Sequence, residues 1–311
     1  MKAENKIELC LLPDRSGRRI LRGRPRFLFL LVILFSVFIF SCCSEPKEPL
    51  ELKVITFNVR FDNPADGRQA WEFRRQAAGQ LLRSLEADLI GTQEVLKNQL
   101  DDFLERLPGY GYLGVGRADG RTAGEYSAIF YRKDRLQVVK SGNFWLSQTP
   151  EVPGSRGWDA ACERIVTWAI FRENYGDLEL AFFNTHLDHV GQTARREGAL
   201  MLINKIQDLA GNLPVILGGD FNSPADSEPI RIILDGGFLF NSRTLAGEVV
   251  GPDWSFHGFG RVPEEKRQLI DFIFVSHQFE VLEYRNLFEQ VNGTYHSDHN
   301  PILVKLRVNR R

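Results

Sequence analysis

Hydrophobic residues recur along the chain in two patterns, one typical of strands and one of helices. Runs of β-branched and aromatic residues, such as residues 52–59, predict β-strands. Apolar residues at helical spacing, starting with Phe73, predict an amphipathic helix over residues 73–86, and a second long helix is predicted around Ala199. The other predicted elements are a short helix at 96–107 and strands near 88–93, 110–117, 126–133, 135–140, 163–172, 178–187, 214–217, 269–275, 279–287 and 301–308.

Strands outnumber helices in this pattern, which predicts an α/β (α+β) fold built on mixed, mainly antiparallel sheets. Segments 126–133 and 135–140 are joined by too little chain for a crossover, so we expect them to pair as antiparallel neighbours. Two sheets packed face to face, with helices on the outside, would bury the apolar strands. No linker-like break follows residue 50, so the body is predicted to be one domain.

The N-terminal segment has the pattern of an export signal. Residues 27–40 contain one polar residue, Ser36, and as a helix they would span roughly 21 Å, short of the ~30 Å hydrocarbon core of a bilayer. Basic residues precede this run, and the sequence Ile-Phe-Ser-Cys at 39–42 resembles a lipobox, which predicts lipidation of Cys42. An ordinary signal peptide and an uncleaved anchor are the alternatives. The predicted division is an export segment at 1–42, a tether at 43–50 and a functional domain at 51–311.

Composition narrows the class of protein. Of the 311 residues, 43% are hydrophobic and 25% are charged, which excludes a disordered tail, a collagen-like repeat and a multi-span membrane protein. Residues 43–311 carry 31 basic and 37 acidic residues, which is unfavourable for sequence-independent binding of nucleic acid. Apart from Cys43 beside the tether, the body has one cysteine, Cys162, so no disulfide framework is available and the core must stabilise the fold.

Polar residues interrupt or end the predicted buried strands at six places. Each has an ordinary explanation as a turn or cap when taken alone, but six in one domain predict a site for a cation and a phosphate group. Oxygen ligands without cysteine favour Mg²⁺, or Mn²⁺, over zinc, and no basic cluster lies near these places in the sequence. The six places are Asn58, Glu94, His186 with Asp188, Asp220 with Asn222, Asp271, and residues 297–299.

Spacing adds detail at three of these places. Asp220 and Asn222 are two residues apart, so in extended chain their side chains share one face. Asp271 has apolar neighbours on both sides, so its carboxylate requires a partner, for which a histidine is suited. His186 and His189 are three residues apart and diverge on a strand, which does not favour a zinc pair.

The ordered motifs TFNVR, GTQEV, NTHLDH, GGDFN, IDFIFVS and SDHNP resemble the endonuclease/exonuclease/phosphatase superfamily, the DNase I-like fold, over residues 51–308. IFYRKDR, FWLSQTP and PGSRGWDA resemble a bacterial branch of it, here with an exported lipoprotein leader. The resemblance implies a four-layer sandwich, two mixed sheets flanked by helices, with the site at one end. It also implies metal-assisted, in-line attack of water on a phosphate ester.

The resemblance further implies a metal side of the site. Glu94 would be the principal Mg²⁺ ligand, with Asn58 beside it in the metal shell and Asp298 adding a second carboxylate.

The remaining motif residues would handle water and phosphate. The resemblance implies that Asp220 deprotonates the attacking water and that Asn222 donates to the phosphoryl oxygen. His299 would contact the phosphate while Asp271 holds its ring, and His186 would bind phosphate or assist the leaving oxygen.

Further candidates for substrate contact are Arg74, Trp158, Arg164, His257 and, more loosely, Asp188. We expect a periplasmic or cell-surface lipoprotein of the outer membrane, attached through its N-terminal lipid. Its substrate would be a phosphorylated small molecule, a nucleotide, a lipid headgroup or single-stranded nucleic acid. The alternatives are an endonuclease or 3′–5′ exonuclease of the deadenylase kind, and a non-catalytic module that binds glycans.

Overall fold

The predicted strands form two large sheets in the computed structural model, which describes residues 48–291 and 293–310. The predicted export segment, the lipidation site Cys42 and the first part of the tether lie outside the described residues. The strands are β1 (Leu50–Asn58), β2 (Leu89–Gln93), β3 (Tyr110–Leu113), β4 (Ile129–Arg132), β5 (Leu136–Trp145), β6 (Ile165–Glu173), β7 (Glu179–His186), β8 (Val215–Asp220), β9 (Leu239–Asn241), β10 (Glu248–Val250), β11 (Asp271–Ser276), β12 (Phe279–Asn286), β13 (Gln290–Val291), β14 (Thr294–Tyr295) and β15 (Ile302–Val308). The helices are α1 (Trp71–Leu85), α2 (Lys97–Arg106), α3 (Gln192–Ala210), α4 (Glu228–Asp235) and α5 (Ser242–Leu245), with short 3₁₀ helices at Pro64–Gln69 and Glu264–Lys266.

The first sheet has the strand order β10-β12-β15-β1-β2-β4-β3, and the second has the order β5-β6-β7-β8-β11-β9. The pairs β1–β2, β7–β8 and β10–β12 are parallel, and the other pairs within these two sheets are antiparallel. Strands β2, β8 and β11 are buried along their whole length, which explains why they appear in the sequence as continuous apolar runs. The predicted mixed, mainly antiparallel sheets are confirmed.

Three hydrophobic clusters arrange these elements in four layers. Residues of both sheets, including Val54, Leu89, Phe182 and Ile216, form the cluster between the sheets. A second cluster joins the outer face of the second sheet to α3 and α4, and a third joins the first sheet to α1 and α2. The four-layer sandwich that the resemblance implied is therefore confirmed. Among the described residues, no helix is long and apolar enough to cross a membrane.

Two local predictions were wrong. Segments 126–133 and 135–140 do not pair: β4 belongs to the first sheet and β5 to the second, so the short turn between them carries the chain across the sandwich. Helix α1 exists and Leu82 of its predicted apolar face is buried, but Phe73 is 56% exposed, and the buried face also contains Trp71, Arg74 and Ala78. That face also follows helical spacing, but the charge of Arg74 concealed it in the apolar pattern.

A small polar cluster holds the two sheets together near one end of the sandwich. The Nε2 amide group of Gln93 on β2 donates to Asn184 Oδ1 on β7 at 2.7 Å and to Thr56 Oγ1 on β1 at 3.0 Å. Asn184 Nδ2 in turn donates to the backbone carbonyls of residues 92 and 128, both at 2.9 Å. All three side chains are fully buried, so this inter-sheet cluster fixes where the strand ends of the two sheets lie relative to each other.

Candidate active site

The polar residues at the predicted strand ends meet at one end of the sandwich. Register places Asp220 beside His186 on one side and beside Asp271 on the other. Asn58 ends β1 in the other sheet, and its Nδ2 donates to Asp220 Oδ2 at 2.9 Å. Glu94 follows β2 and accepts a second hydrogen bond from the same Nδ2 atom at 3.0 Å. Side chains far apart in the sequence therefore converge on one cleft of about 250 Å³.

Asp220, His299 and Asp271 form the most buried charged group in this cleft. His299 Nδ1 lies 2.8 Å from Asp271 Oδ2, and His299 Nε2 lies 3.8 Å from Asp220 Oδ2. Burial would lower the pKa of His299, but the charges of Asp271 and Asp220 outweigh it and raise the pKa to about 10. Burial, with a smaller contribution from Asp271, raises the pKa of Asp220 to about 7. This arrangement pairs a fixed imidazolium with a carboxylate that can take a proton near neutral pH.

Asn222 and His186 lie on the other side of Asp220. Asn222 Nδ2 donates to the carbonyl of Leu187 at 2.9 Å and lies 2.9 Å from His186 Nε2, which itself is 3.4 Å from Asp220 Oδ2. Burial, and next the nearby charge of Arg164, lower the pKa of His186 well below its usual range, so its ring is neutral. Both amide hydrogens of Asn222 are thus engaged, and in this structure Asn222 orients His186 and offers no free donor to a phosphoryl oxygen.

The structure also corrects the predicted role of Asn58. Its Oδ1 accepts a hydrogen bond from the backbone N–H of Arg60 at 3.0 Å, so the amide hydrogens, and not the oxygen, face Glu94 and Asp220. An amide NH₂ group cannot ligate a cation. Asn58 therefore bridges the two carboxylates as a donor and is not a metal ligand in this arrangement.

The carboxylates of Glu94 and Asp298 suit a hard divalent cation. Their side chains are 14% and 10% exposed, and both line the cleft. Burial, which the negative charge of Glu94 reinforces, raises the pKa of Asp298, and a bound cation would relieve this repulsion. Oxygen donors of this kind fit Mg²⁺ or Mn²⁺. The side-chain atoms of Asp220, Asp271 and His299 also lie within 4.8 Å of one another, but two of these residues already bond each other.

Three arginines line the cleft, contrary to the expectation that no basic cluster lies near the site. Arg60 is 3.9 Å from both Glu94 and Asp298, Arg117 pairs with Glu125 at 2.6 Å, and Arg164 is described below. Arg60 lies two residues after Asn58 in the TFNVR motif, whereas Arg117 and Arg164 are brought to the cleft by the fold. Arg60, Glu94 and Asn222 have positive φ angles, a conformation that non-glycine residues adopt mainly where the surrounding structure enforces it.

A family model described as the Endonuclease/Exonuclease/phosphatase family matches residues 55–299. The chain belongs to this family. Its members are hydrolases that act on phosphate esters and generally depend on divalent metals. The resemblance inferred from the six motifs is therefore confirmed at the level of the superfamily.

Solved structures in the endonuclease/exonuclease/phosphatase family include two similar chains from Bacteroides. An endonuclease/exonuclease/phosphatase from Bacteroides vulgatus is 42% identical, with a TM-score of 0.81, over 84% of this chain and 100% of that chain. A mannosyl-6-phosphatase from Bacteroides thetaiotaomicron is 38% identical, with a TM-score of 0.77, over 82% and 99%. An uncharacterized protein of Acanthamoeba polyphaga mimivirus is 22% identical over 57% of this chain, which spans only 31% of that relative's length.

Two of the predicted substrate contacts, Arg74 and His257, are buried residues with structural roles, and the others are described after them. Arg74 is fully buried, and its guanidinium donates to the backbone carbonyls of Val59, Arg60, Gln69 and His296, so it has a structural role and not the predicted substrate contact.

His257 is likewise structural. Its side chain is 1% exposed among the rings of Trp254, Phe288 and Tyr295, and its Nδ1 accepts from Gly260 N at 3.1 Å. Burial lowers its pKa to about 3, so it holds no charge for an anion. Its neighbour Phe256 lines the cleft instead, with its ring 4.9 Å from the ring of His299.

Of the other candidates, Arg164 lines the cleft and is 4% exposed, and Asp188 accepts a hydrogen bond from Arg164 at 3.2 Å. Trp158 is half-buried, its backbone N–H lies 3.4 Å from Gln148 Oε1, and it is not among the residues that line the cleft. His189, which the sequence suggested only as half of an unfavoured zinc pair, also lines the cleft.

Proposed function

We propose that this protein is a Mg²⁺-dependent hydrolase of small phosphate esters, with Mn²⁺ as an alternative ion. The observation that carries the proposal is the position of Asp220: it contacts Asn58 at 2.9 Å and lies 3.8 Å from His299, which Asp271 holds at 2.8 Å. A base, a fixed cation and a carboxylate pair for a metal thus share one small cleft.

The chemistry follows from these contacts. Asp220 takes a proton from a water molecule, whose oxygen attacks phosphorus in line with the departing ester oxygen. The P–O bond to that oxygen breaks, and the alcohol leaves with a proton taken up from solvent water. The His299 imidazolium binds a non-bridging phosphate oxygen, and Asp271 keeps its ring oriented. Glu94 and Asp298 would hold a divalent ion, which would supply Lewis-acid stabilisation of the phosphoryl oxygens. Asn58 keeps Asp220 and Glu94 at a fixed separation, because it donates to both.

Size and charge favour a small substrate. A cleft of about 250 Å³ lies just below the usual range for ligand pockets, roughly 300–1,000 Å³, and suits a phosphate group with a compact substituent. Each of the three cleft arginines faces an acidic residue, so the cleft is not the basic groove that a duplex requires. The similarity to a mannosyl-6-phosphatase makes hexose phosphates the first class to test.

The direct test is phosphate release by the full-length protein, purified in detergent, from hexose 6-phosphates, nucleotides and bis-p-nitrophenyl phosphate. We expect turnover with Mg²⁺ that EDTA abolishes and added Mg²⁺ restores. Turnover that survives EDTA would contradict the metal requirement. Cleavage of DNA or RNA with a steep salt dependence, without release from small esters, would favour the nuclease alternative.

We further propose that the enzyme is an exported lipoprotein that meets its substrate outside the cytoplasm. The support is the apolar run at 27–40 followed by the lipobox-like residues 39–42. Cys42→Ser is expected to abolish incorporation of labelled fatty acid and to move the protein out of the membrane fraction. Cys43→Ser, the adjacent matched control, is expected to change neither; equal behaviour of the two variants would overturn the assignment.

A further inference from the structure

Three side chains form a hydrogen-bonded chain along one wall of the cleft. Arg164 Nε donates to Asp188 Oδ2 at 3.2 Å, and Arg164 Nη2 lies 2.9 Å from Nδ1 of His189. Asp188 and His189 follow β7 after one intervening residue, whereas Arg164 directly precedes β6 of the same sheet. The wall therefore belongs to the second sheet, while the predicted metal ligand Glu94 follows a strand of the first sheet.

The inner end of this chain is rigid. Asp188 is 1% exposed, and its carboxylate accepts four backbone N–H groups at 2.7–3.4 Å, from residues 161, 162, 190 and 191. Burial opposes ionisation, but these hydrogen bonds outweigh it and lower the pKa of Asp188 to about 2. The carboxylate is thus a permanent anchor for Arg164, which is itself 4% exposed.

The outer end of the chain has a defined tautomer. A guanidinium can only donate hydrogen bonds, so the His189 Nδ1 atom that faces Arg164 must accept. A histidine whose Nδ1 accepts is neutral and has its hydrogen on Nε2. His189 is exposed and lines the cleft together with Asp220, Asn222 and His186, so its Nε2–H is a hydrogen-bond donor on a residue that borders the same cleft as the proposed reacting groups.

This donor has no role in the chemistry described above. Water activation uses Asp220, phosphate binding uses His299, and the metal side uses Glu94 and Asp298. The part of the substrate that remains uncontacted is the leaving alcohol. A neutral N–H donor suits a hydroxyl or ring oxygen, because it binds an uncharged acceptor without adding a charge that must be desolvated.

We propose that His189, oriented by Arg164 and Asp188, is a specificity-determining residue that donates from Nε2 to an oxygen of the leaving alcohol. The site would thereby select polyhydroxylated alcohols, such as sugars, over leaving groups without such oxygens. This inference rests on the proposed function and deepens it.

The kinetic test compares two monoesters, mannose 6-phosphate and p-nitrophenyl phosphate, whose leaving groups differ in hydroxyl content. For His189→Ala we expect the ratio of kcat/KM values, sugar ester over aryl ester, to fall about tenfold or more, mainly through KM for the sugar ester. His189→Gln retains a terminal N–H donor and is expected to restore most of the ratio. His277→Ala, an exposed histidine between β11 and β12, is the matched control and should leave the ratio unchanged.

The positioning role of Arg164 is tested separately, by observing the tautomer of His189. Long-range ¹H–¹⁵N spectra of the full-length protein are expected to show His189 with hydrogen on Nε2 and a bare Nδ1. Arg164→Lys is expected to lose this fixed tautomer and to lower the same kinetic ratio. A wild-type spectrum with hydrogen on Nδ1 would overturn the inference whatever the activity.

The outcomes separate the inference from the proposed function. An unchanged ratio in His189→Ala, or an equal loss for both esters, overturns the specificity role while leaving the hydrolase intact. A second measurement uses the Asp220→Asn variant with Mg²⁺ and compares its affinities for mannose 6-phosphate and for inorganic phosphate. Adding His189→Ala to this variant should weaken the binding of mannose 6-phosphate and leave the binding of inorganic phosphate unchanged. Failure of the wild type to hydrolyse any ester, and of Asp220→Asn to bind either ligand, would overturn the proposed function and the inference with it.

Discussion

Two buried polar groups lie near the same end of the sandwich, and they differ in charge. The inter-sheet cluster of Thr56, Gln93 and Asn184 is neutral, and each amide places both of its hydrogens on a buried acceptor. The cleft group of Asp220, Asp271 and His299 is charged. Each group keeps one buried oxygen that has no partner among the described residues, Gln93 Oε1 in the first and Asp271 Oδ1 in the second.

The difference indicates what each group is for. Neutral amides whose hydrogens are all paired cost less to bury than ionised groups, and they fix the geometry of the sheets. Ionised groups cost far more to bury, and groups that the surroundings force into unusual protonation states are concentrated at functional sites. From the sequence alone, both groups appear as polar residues in apolar strands. The hydrogen-bond and ion-pair partners in the structure show which residues belong to the neutral group and which to the charged group.

The largest expected effect is on the charged group. Asp220→Asn removes the proposed base, so we expect kcat to fall by roughly 10²–10⁴-fold, measured as phosphate release. The thermal midpoint should change little, because asparagine has nearly the same shape. Asp208→Asn, on the exposed face of α3, is the matched control. If Asp220→Asn retained more than a tenth of wild-type kcat, the base would have to be another group.

The neutral group is expected to show the opposite behaviour. Asn184→Ala removes one of the two acceptors of Gln93 Nε2 and one donor from each of the carbonyls of residues 92 and 128, so the free energy of unfolding should fall by about 3 kcal/mol. Urea unfolding measures this change. Asn174→Ala, at an exposed asparagine, should lie within about 0.5 kcal/mol of wild type. If the Asn184→Ala protein were as stable as wild type but had lost turnover, the neutral cluster would have a catalytic role and would not differ in function from the charged group.

Sequence reasoning placed a residue correctly where its position depends on its own strand. The strand ends and their side chains, such as Asp220 and Asp271, were predictable because buried strands are apolar and the exceptions are visible. It failed where the role depends on a partner distant in the chain. Arg74 was expected to bind substrate because nothing in the sequence shows that four carbonyls surround it. Arg60 was not singled out, because its contacts with Glu94 and Asp298 exist only in the fold.

Asp188 tests whether charge by itself marks a catalytic group. Its pKa is lowered from 3.8 to about 2, so the folded state binds fewer protons than the unfolded state at acidic pH. Its contribution, on the order of 2 kcal/mol, is therefore complete above about pH 4 and is lost as the pH falls toward 2.

Urea unfolding of wild type and Asp188→Asn at several pH values between 2 and 7 measures this contribution. The difference in stability should shrink steadily as the pH falls, whereas the exposed control Asp253→Asn should show no such trend. A difference independent of pH would mean that Asp188 acts through its shape and not through its charge.

Ser255 is a neutral residue that is hydrogen-bonded to the charged group. Of the substitutions considered, controls excepted, its replacement is expected to have the smallest effect. Its hydroxyl donates to Asp271 Oδ2 at 2.6 Å and accepts the backbone N–H groups of Ile270 and Asp271 at 3.0 and 3.1 Å. Ser255→Ala should lower the free energy of unfolding by about 1 kcal/mol, as for the loss of one buried hydrogen-bonding group.

Turnover in Ser255→Ala should fall by less than about tenfold, because Asp271 keeps its direct bond to His299 at 2.8 Å. Parallel unfolding and phosphate-release measurements, with Ser84→Ala on the exposed side of α1 as the control, check both values. If Ser255→Ala lost as much turnover as Asp220→Asn, the orientation of His299 would depend on this hydroxyl. A neutral residue would then be as important for turnover as the charged residues of the cleft, and charge would no longer distinguish the cleft group from the inter-sheet cluster.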